Sequence, residues 1–181
     1  KDEAIDNIAF VSSLNEQIVL ENKALHDFLF SHITWTEEED KQKKGFFIKT
    51  LEIKGFKKFI FKILKSWKVL SILNKVSISK LVSRDNAKIY SHSGAMLSIV
   101  TDNKLTKNSF IKTGMLMQKL WLIATKYDMY MQPLTGIIFL NYRISINSNN
   151  DDLEKRHIEI IKDSYNIIKK EMEINHKEIT I

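Results

Sequence analysis

The sequence of residues 109–128 is SFIKTGMLMQKLWLIATKYD, and this stretch decides the fold class. Its apolar residues recur every three or four positions, which is the period of an α-helix, and Ser109 is a residue type that caps helix N-termini. Gly114 lies inside the predicted helix, where a glycine costs about 1 kcal/mol relative to alanine. We therefore expect another group to approach the helix closely at Gly114.

Two short apolar runs flank this helix in the sequence. Residues 95–101 are mostly apolar, become β-branched toward their end and lie between polar turn residues, which predicts a buried strand. Residues 137–142 form a second apolar run and predict a second strand. The order strand, helix, strand is the only α/β signal in the chain.

Helical periodicity extends toward both ends of the chain. Residues 4–33 predict two helices or one bent helix, and Thr36 is the predicted N-cap of a helix that begins with four acidic residues. Residues 151–172 predict the last helix, with Asn150 or Asp151 as its N-cap. Five glycines and one proline in 181 residues disfavour turn-rich all-β folds. We therefore expect one domain over residues 1–181, with a helix-rich α+β fold and a small mixed sheet.

Residues 54–88 are strongly basic, because they contain ten lysine or arginine residues and one acidic residue, Asp85. Apolar residues at helical spacing alternate with these charges, which predicts a basic amphipathic helix. They are Phe56, Phe59, Ile60, Ile63, Leu64, Trp67, Leu70 and Leu73. The apolar face could pack inside the chain as a lid, dock in a partner groove or lie on an anionic bilayer. We favour packing inside the chain, because a domain of this size needs its apolar helix faces for the core.

The charge balance bears on the class of partner. The chain carries 28 lysine and arginine residues, of which only Arg84, Arg143 and Arg156 are arginine, and its formal net charge is +6. A lysine-dominated chain lacks the bidentate arginine fork of specific base and phosphate readers, so we expect no nucleic-acid partner. No apolar run reaches the roughly 18 residues of a membrane span, and residues 1–4 do not resemble a signal peptide. Together with the absence of cysteine, this predicts a cytoplasmic protein.

The sequence contains no self-contained catalytic motif. Without cysteine there is no disulfide, thiolate metal site or cysteine nucleophile, and phosphate-binding glycine loops and nucleophile elbows are also absent. The five histidines lack metal-ligand spacing; they are His26, His32, His92, His157 and His176. Acidic residues 37–40 and 151–152 lie where helices are predicted to begin, which favours capping over acid–base catalysis. The residues alone predict no metal site and no catalytic set.

The central part of the chain resembles the flavin-dependent nitroreductase family. The resemblance rests on residues 91–100 (SHSGAMLSIV), 110–128 and 131–135 (MQPLT). In that family a small-residue strand leads into a long helix of the form G-x-x-x-Q-x-L-x-L-x-A-T, matched here from Gly114 to Thr125, and a strand with flavin contacts follows. Residues 35–39 and the basic segment resemble a divergent branch with an extra helical lid, which would occupy about residues 36–90 here.

The resemblance implies an FMN enzyme, usually a homodimer, that transfers hydride from NAD(P)H through the flavin to an oxidised small-molecule acceptor. The residues that it places along the isoalloxazine ring are Gln132, Pro133, Leu134, Thr135 and Gly136, where backbone N–H groups can hydrogen-bond the flavin N5. It also places Gly114 at the closely packed core of the dimer. No catalytic side chain is assigned, because in this family the flavin carries the hydride chemistry.

Two departures from the family pattern leave alternatives open. Family members hold the FMN phosphate with an arginine-rich N-terminal segment, but this chain has no arginine before Arg84, and it ends at Ile181 before a closing basic arm. The chain is then either the central part of a longer protein or a relative with weak FMN binding. Alternative functions are flavin storage or ligand binding without turnover, and a basic module whose residues 54–88 bind an anionic membrane or nucleic acid.

Overall fold

The computed structural model describes residues 3–51, 55–102, 106–146, 150–174 and 178–180. Its α-helices are α1 (Glu3–Glu21), α2 (Lys23–Ser31), α3 (Glu37–Lys41), α4 (Gly55–Leu64), α5 (Trp67–Leu73), α6 (Ile78–Tyr90), α7 (Lys107–Lys126), α8 (Gly136–Ile146) and α9 (Lys155–Glu171). Its strands are β1 (Ile33–Thr34), β2 (Phe46–Phe47), β3 (Val100–Asp102) and β4 (Glu178–Thr180), and short 3-10 turns cover Ile48–Leu51 and Asn74–Val76. The chain is thus mostly helical with short strands, which confirms the predicted helix-rich α+β class.

Two compact units make up this structure. The first unit comprises Lys1–Asn15, Arg84–Asn150 and Lys155–Ile181, and the second comprises Glu16–Ser83 and Asp151–Glu154. Strand β1 pairs in parallel with β2 in the second unit, and β3 pairs antiparallel with β4 in the first. In place of the expected single mixed sheet, the described residues therefore form two separate two-stranded sheets.

The core of the second unit unites its N-terminal helices with the basic segment. Six buried apolar side chains form this core: Leu20, Phe30, Ile33, Ile48, Leu64 and Leu70. Phe61 and Trp67 are partly buried against it. Part of the apolar face of residues 54–88 therefore packs inside the chain, as expected for a domain of this size.

Helix starts follow the predicted capping residues only in part. The Thr36 side chain accepts a hydrogen bond from the Glu39 N–H at 3.2 Å, which confirms Thr36 as the N-cap of α3. Helix α7 begins three residues earlier than expected: Thr106 is its N-cap, and Ser109 is the reciprocal partner of a capping box. Helix α9 begins at Lys155, so the prediction of Asn150 or Asp151 as its N-cap was wrong.

The two strands predicted beside α7 need correction. Of residues 95–101, only the last two belong to a strand, since β3 starts at Val100 and residues 95–99 have no regular structure. The strand predicted at residues 137–142 is instead part of α8, in which Ile137 and Leu140 are buried one helical turn apart. In an unbroken apolar run, the spacing of the apolar residues cannot distinguish a strand from a buried helix. Here the run belongs to a helix of eleven residues.

Helices α1, α8 and α9 are joined within the first unit. Helix α8 packs against α9. The Asn7 side chain of α1 donates a hydrogen bond to Glu171 Oε1 of α9 at 3.1 Å. In the same unit, the rings of Phe110 and Tyr142 meet edge to face with centroids 5.6 Å apart, so α7 also contacts α8. None of the described helices is both long enough and apolar enough to cross a bilayer.

Candidate cofactor-binding site

The chain turns sharply where α7 ends. Tyr127 is the C-cap, and Asp128 adopts a left-handed conformation with φ of 55°, which aspartate tolerates better than most residues. The Met129 N–H then donates to the Ala124 carbonyl oxygen at 2.9 Å, which closes the helix end. The chain continues from there without helix or strand until α8 begins at Gly136.

This connecting segment contains the residues predicted to contact a flavin. Gln132 and Pro133 are exposed, Leu134 and Thr135 are half-buried, and Gly136 is the first residue of α8. The N–H groups of Gln132, Leu134 and Thr135 donate no hydrogen bond to an acceptor within the described ranges. A backbone donor in this state is available to an acceptor from outside the chain, such as water or the polar edge of a heterocycle.

Gly136 has a packing role that the sequence did not indicate. A Cβ atom built on Gly136 would lie 2.2 Å from Cγ of Asn15 and 2.4 Å from its Oδ1. These separations are far below van der Waals contact, so a side chain at position 136 would require the Asn15 side chain to move where α1 and α8 approach each other. Of the five predicted site residues, Gly136 is therefore the one with a demonstrated structural reason for its identity.

None of the described residues makes the close approach expected at Gly114. A Cβ atom at Gly114 would meet no heavy atom of the described residues within 4 Å. Ile111, Met115 and Leu122 lie within about 40° of one another around the helix axis, and Gly114 lies about 60° to 100° to one side of them. Their side chains are 62%, 68% and 62% exposed. Helix α7 therefore presents an exposed apolar stripe with an exposed glycine beside it, and we call this part of the helix the Gly114 face.

The opposite side of α7 holds the helix in the first unit. Thr113 and Ala124 are buried, and Phe110 contacts Tyr142. By the helical period Thr113 and Ala124 lie roughly opposite Ile111 on the axis, and Phe110 lies between them and Gly114. Helix α7 is thus packed on one side only, although apolar residues occupy both sides.

The histidines take part in packing and capping. His26 is fully buried, and its Nε2 donates to the Leu64 carbonyl oxygen at 2.9 Å, which ties α2 to the end of α4. Its ring also packs against Phe30 and Trp67, at centroid distances of 4.5 Å and 5.2 Å. No group of three His, Asp or Glu side chains that could hold a metal ion occurs among the described residues. His176 lies outside the described ranges.

The acidic residues of the second unit form local pairs. Lys49 Nζ lies 2.6 Å from Glu37 Oε1, and this hydrogen bond lowers the pKa of the Glu37 carboxyl below its ordinary value. Hydrogen bonds from Lys23, which has the larger effect, and from His26 lower the pKa of the Asp27 carboxyl. Both carboxyl groups belong to ion pairs on the surface. The capping interpretation of residues 37–40 is confirmed by the Thr36 cap at the start of α3.

The connecting segment offers backbone N–H donors but no cationic side chain. Available N–H donors and the half-buried side chains of Met131 and Leu134 suit a planar heterocycle with one polar edge. However, residues 129–142 contain no lysine or arginine, whereas a phosphate needs fixed cationic or N–H donors. Partners for a phosphate must then come from another part of the chain or from a second polypeptide.

Comparison with known proteins gives no assignment: no family model, no curated protein and no solved structure matches this chain.

Proposed function

We propose that this chain is a flavin-dependent oxidoreductase of the nitroreductase type, which binds FMN, accepts hydride from NAD(P)H and reduces an oxidised small molecule. The observation that carries the proposal is the connecting segment after α7, where three consecutive N–H-bearing residues around Pro133 have no acceptor in the described structure. The sequence of this segment and of α7 supplies the resemblance.

The bound flavin would supply the hydride chemistry, and the chain would supply binding and orientation. The N–H groups of Gln132 and Leu134 are the proposed donors to the polar edge of the ring. Pro133 lies between them and fixes its own φ near −65°, which reduces the conformational freedom lost when the segment is ordered. The half-buried Leu134 side chain would pack against the ring and exclude water from one side.

A second copy of the chain is the proposed partner. The Gly114 face exposes three large apolar side chains, and burying such a side chain is worth about 1.5–3 kcal/mol when it starts fully exposed. Gly114 lacks a Cβ and would let a partner helix approach more closely than any other residue. A dimer would also supply a second set of cationic side chains for the FMN phosphate. We keep the cytoplasm as the proposed location.

The experiment is a titration of the purified chain with FMN, followed by anaerobic addition of NADPH or NADH. Bound FMN should change its visible absorption spectrum and lose fluorescence, and the nicotinamide should then bleach the flavin band. An unchanged spectrum at every FMN concentration would refute the proposal. Bound flavin that neither nicotinamide can reduce would replace it with flavin storage.

A matched pair of variants tests the backbone donors. Gln132→Pro removes one N–H, whereas Gln132→Ala keeps it and removes only an exposed side chain. One hydrogen bond is worth about 0.5–1.5 kcal/mol, so Gln132→Pro should weaken FMN binding by about threefold to tenfold. Gln132→Ala should bind FMN like the parent chain. Equal affinities for all three proteins would rule out the Gln132 N–H as a contact.

A further inference from the structure

The lysines of residues 55–83 whose side chains the structure describes form no ion pair with another described residue. This range contains seven lysines and no aspartate, glutamate or arginine. Six lysines have described side chains, and all six are exposed: Lys58, Lys62, Lys65, Lys68, Lys75 and Lys80. None of these six forms an ion pair within the described ranges, although Lys65 lies over the Trp35 ring at 5.0 Å.

The same stretch of chain also exposes large apolar side chains. Leu64 and Leu70 are buried in the core of the second unit, but other apolar residues of α4, α5, the following 3-10 turn and α6 are between about one-third and three-quarters exposed. They are Phe59, Ile60, Ile63, Val69, Ile72, Val76 and Leu81. Phe59 is 60% exposed and Val76 is 71% exposed. Helix α4, for example, has two apolar sides, and only the side with Leu64 is used by the core.

Lysines accompany the exposed apolar residues in a regular way. Five of these residues directly follow a lysine, in the pairs Lys58–Phe59, Lys62–Ile63, Lys68–Val69, Lys75–Val76 and Lys80–Leu81. Neighbouring residues lie about 100° apart around a helix axis, so each lysine borders the apolar side chain that follows it. Lysine stems can run along apolar surface while the ammonium group reaches a polar layer. We call this combination of residues 58–81 the lysine-bordered surface.

The charge pattern distinguishes between the binding partners that this surface could have. If a second copy of the chain docked here through the same residues, two sets of lysines would face each other and would repel, because residues 55–83 contain no carboxylate in either copy. Nucleic acid would neutralise the lysines but would offer no apolar layer to the exposed parts of Phe59 and Val76, and the range lacks arginine. An anionic bilayer satisfies both components, because its phosphates attract lysine and its acyl boundary accepts apolar side chains.

We propose that the lysine-bordered surface binds the surface of an anionic lipid bilayer. Helix α4 lies in the plane of the interface, with Phe59 and Ile63 at the boundary between headgroups and acyl chains. Lys58 and Lys62 contact lipid phosphates beside them. This inference goes beyond the proposed oxidoreductase, and it does not depend on flavin binding.

The test is co-sedimentation of the full chain with vesicles. Phosphatidylcholine vesicles that contain phosphatidylglycerol should bind the chain, and vesicles of phosphatidylcholine alone should not. Binding should weaken with added salt, since the screening length falls from about 10 Å at 0.1 M to about 3 Å at 1 M. Equal binding to both vesicle types, or no binding to either, would overturn the proposal.

Two variants and one control locate the surface. Lys58→Gln with Lys62→Gln should weaken vesicle binding by about tenfold to thirtyfold, because each lysine near an anionic surface contributes about 1 kcal/mol. Lys155→Gln with Lys162→Gln makes the same change of net charge on exposed positions of α9 and should have little effect. Phe59→Ser with Ile63→Ser should weaken binding by at least about tenfold through lost insertion. Circular dichroism and thermal unfolding check that each variant folds.

Other outcomes assign the surface elsewhere. If the α9 control weakens binding as much as the α4 variant, the attraction is a property of net charge and the proposal fails. If duplex DNA binds as tightly as the anionic vesicles and Phe59→Ser with Ile63→Ser leaves both unchanged, the surface belongs to nucleic acid. If that apolar variant instead dissociates a dimer formed without lipid, the surface belongs to a second copy.

Discussion

The replacement of Gly136 by alanine tests the contact between α1 and α8 and, with it, the role of this glycine. The new Cβ would lie 2.2 Å from Asn15 Cγ, 2.4 Å from Oδ1 and 2.6 Å from Nδ2. All three atoms belong to the Asn15 side chain, so the clash is between one methyl group and one side chain. Asn15→Ala removes these three atoms and leaves the helix intact.

The expected magnitude follows from two opposing effects. Overpacking of this kind costs about 1–3 kcal/mol of unfolding free energy. Alanine recovers up to about 1 kcal/mol because it restricts the unfolded chain more than glycine does. Gly136→Ala should therefore destabilise the parent chain by roughly 0–3 kcal/mol, whereas in the Asn15→Ala background it should be neutral or stabilising. The coupling between the two sites should be about 1–3 kcal/mol.

Thermal unfolding of the four proteins measures this coupling. For a chain of about 150–250 residues, 1 kcal/mol corresponds to a change in Tm of about 2–4 °C. Gly94→Ala is the control, because a Cβ at Gly94 meets nothing within 4 Å. If Gly136→Ala has the same effect with and without Asn15, the contact between the two residues does not limit the packing of α1 on α8, and our explanation of Gly136 is wrong.

The same four proteins separate packing from cofactor contact. If Gly136 acts on FMN only through the position of α8, Asn15→Ala should restore FMN affinity together with stability. A flavin that touches Gly136 directly would still meet the new methyl group, and affinity would stay low in the stable double variant. Titration of each protein with FMN distinguishes these results.

Further substitutions test neighbouring features. Gly114→Ala should raise the unfolding free energy of the isolated chain by about 1 kcal/mol, since no described residue occupies the space beside Gly114. The same substitution should weaken a dimer that uses the Gly114 face. Thermal unfolding measures the first effect, and sedimentation equilibrium measures the second. Gly45→Ala should destabilise the second unit by at least about 2 kcal/mol, because its Cβ would lie 2.0 Å from the His32 carbonyl oxygen, a backbone atom that cannot move away without distorting the chain. A loss of unfolding free energy smaller than that of Gly94→Ala would contradict this. Lys49→Met should return the Glu37 pKa toward its ordinary value, as a carboxyl NMR titration would detect. Because the Glu37 pKa is lowered in the folded chain, the contribution of this pair is present at neutral pH and is lost as pH falls through the folded pKa, so Lys49→Met should flatten the acid limb of a stability curve.

Local capping chemistry explains which predictions about helices succeeded. Thr36 and the acids after it act within one turn of α3, so the sequence alone is sufficient to find the cap. Ser109 was chosen as a cap because it precedes apolar residues, but Thr106 offers the same chemistry three residues earlier, and only their reciprocal hydrogen bonds decide between them. The helix-rich class follows from residues that act locally, and it was predicted for that reason.

Tertiary contacts explain the errors. The apolar run at residues 137–142 suits a strand or a buried helix equally well, and the packing of α8 against the next helix, α9, is a tertiary contact that the run itself does not reveal. The Gly136 contact with Asn15 likewise joins residues that no local pattern connects. For the candidate site, the sequence could propose consecutive residues that must be neighbours, but it could not indicate which of their backbone donors lack an acceptor.

Asn22 fastens a distant piece of chain to the start of α2. Its side-chain oxygen accepts from the Leu25 N–H at 3.0 Å, and its side-chain nitrogen donates to the Asp152 carbonyl oxygen. The next residue, Leu153, is buried. A truncated protein that stops after α6 would therefore lose the buried Leu153 side chain. It would also leave the side-chain nitrogen of Asn22 without the Asp152 carbonyl oxygen. Anyone who excises the second unit must graft residues 151–154 back onto it, and this requirement makes a simple cut at Ser83 a poor boundary for a minimal fragment.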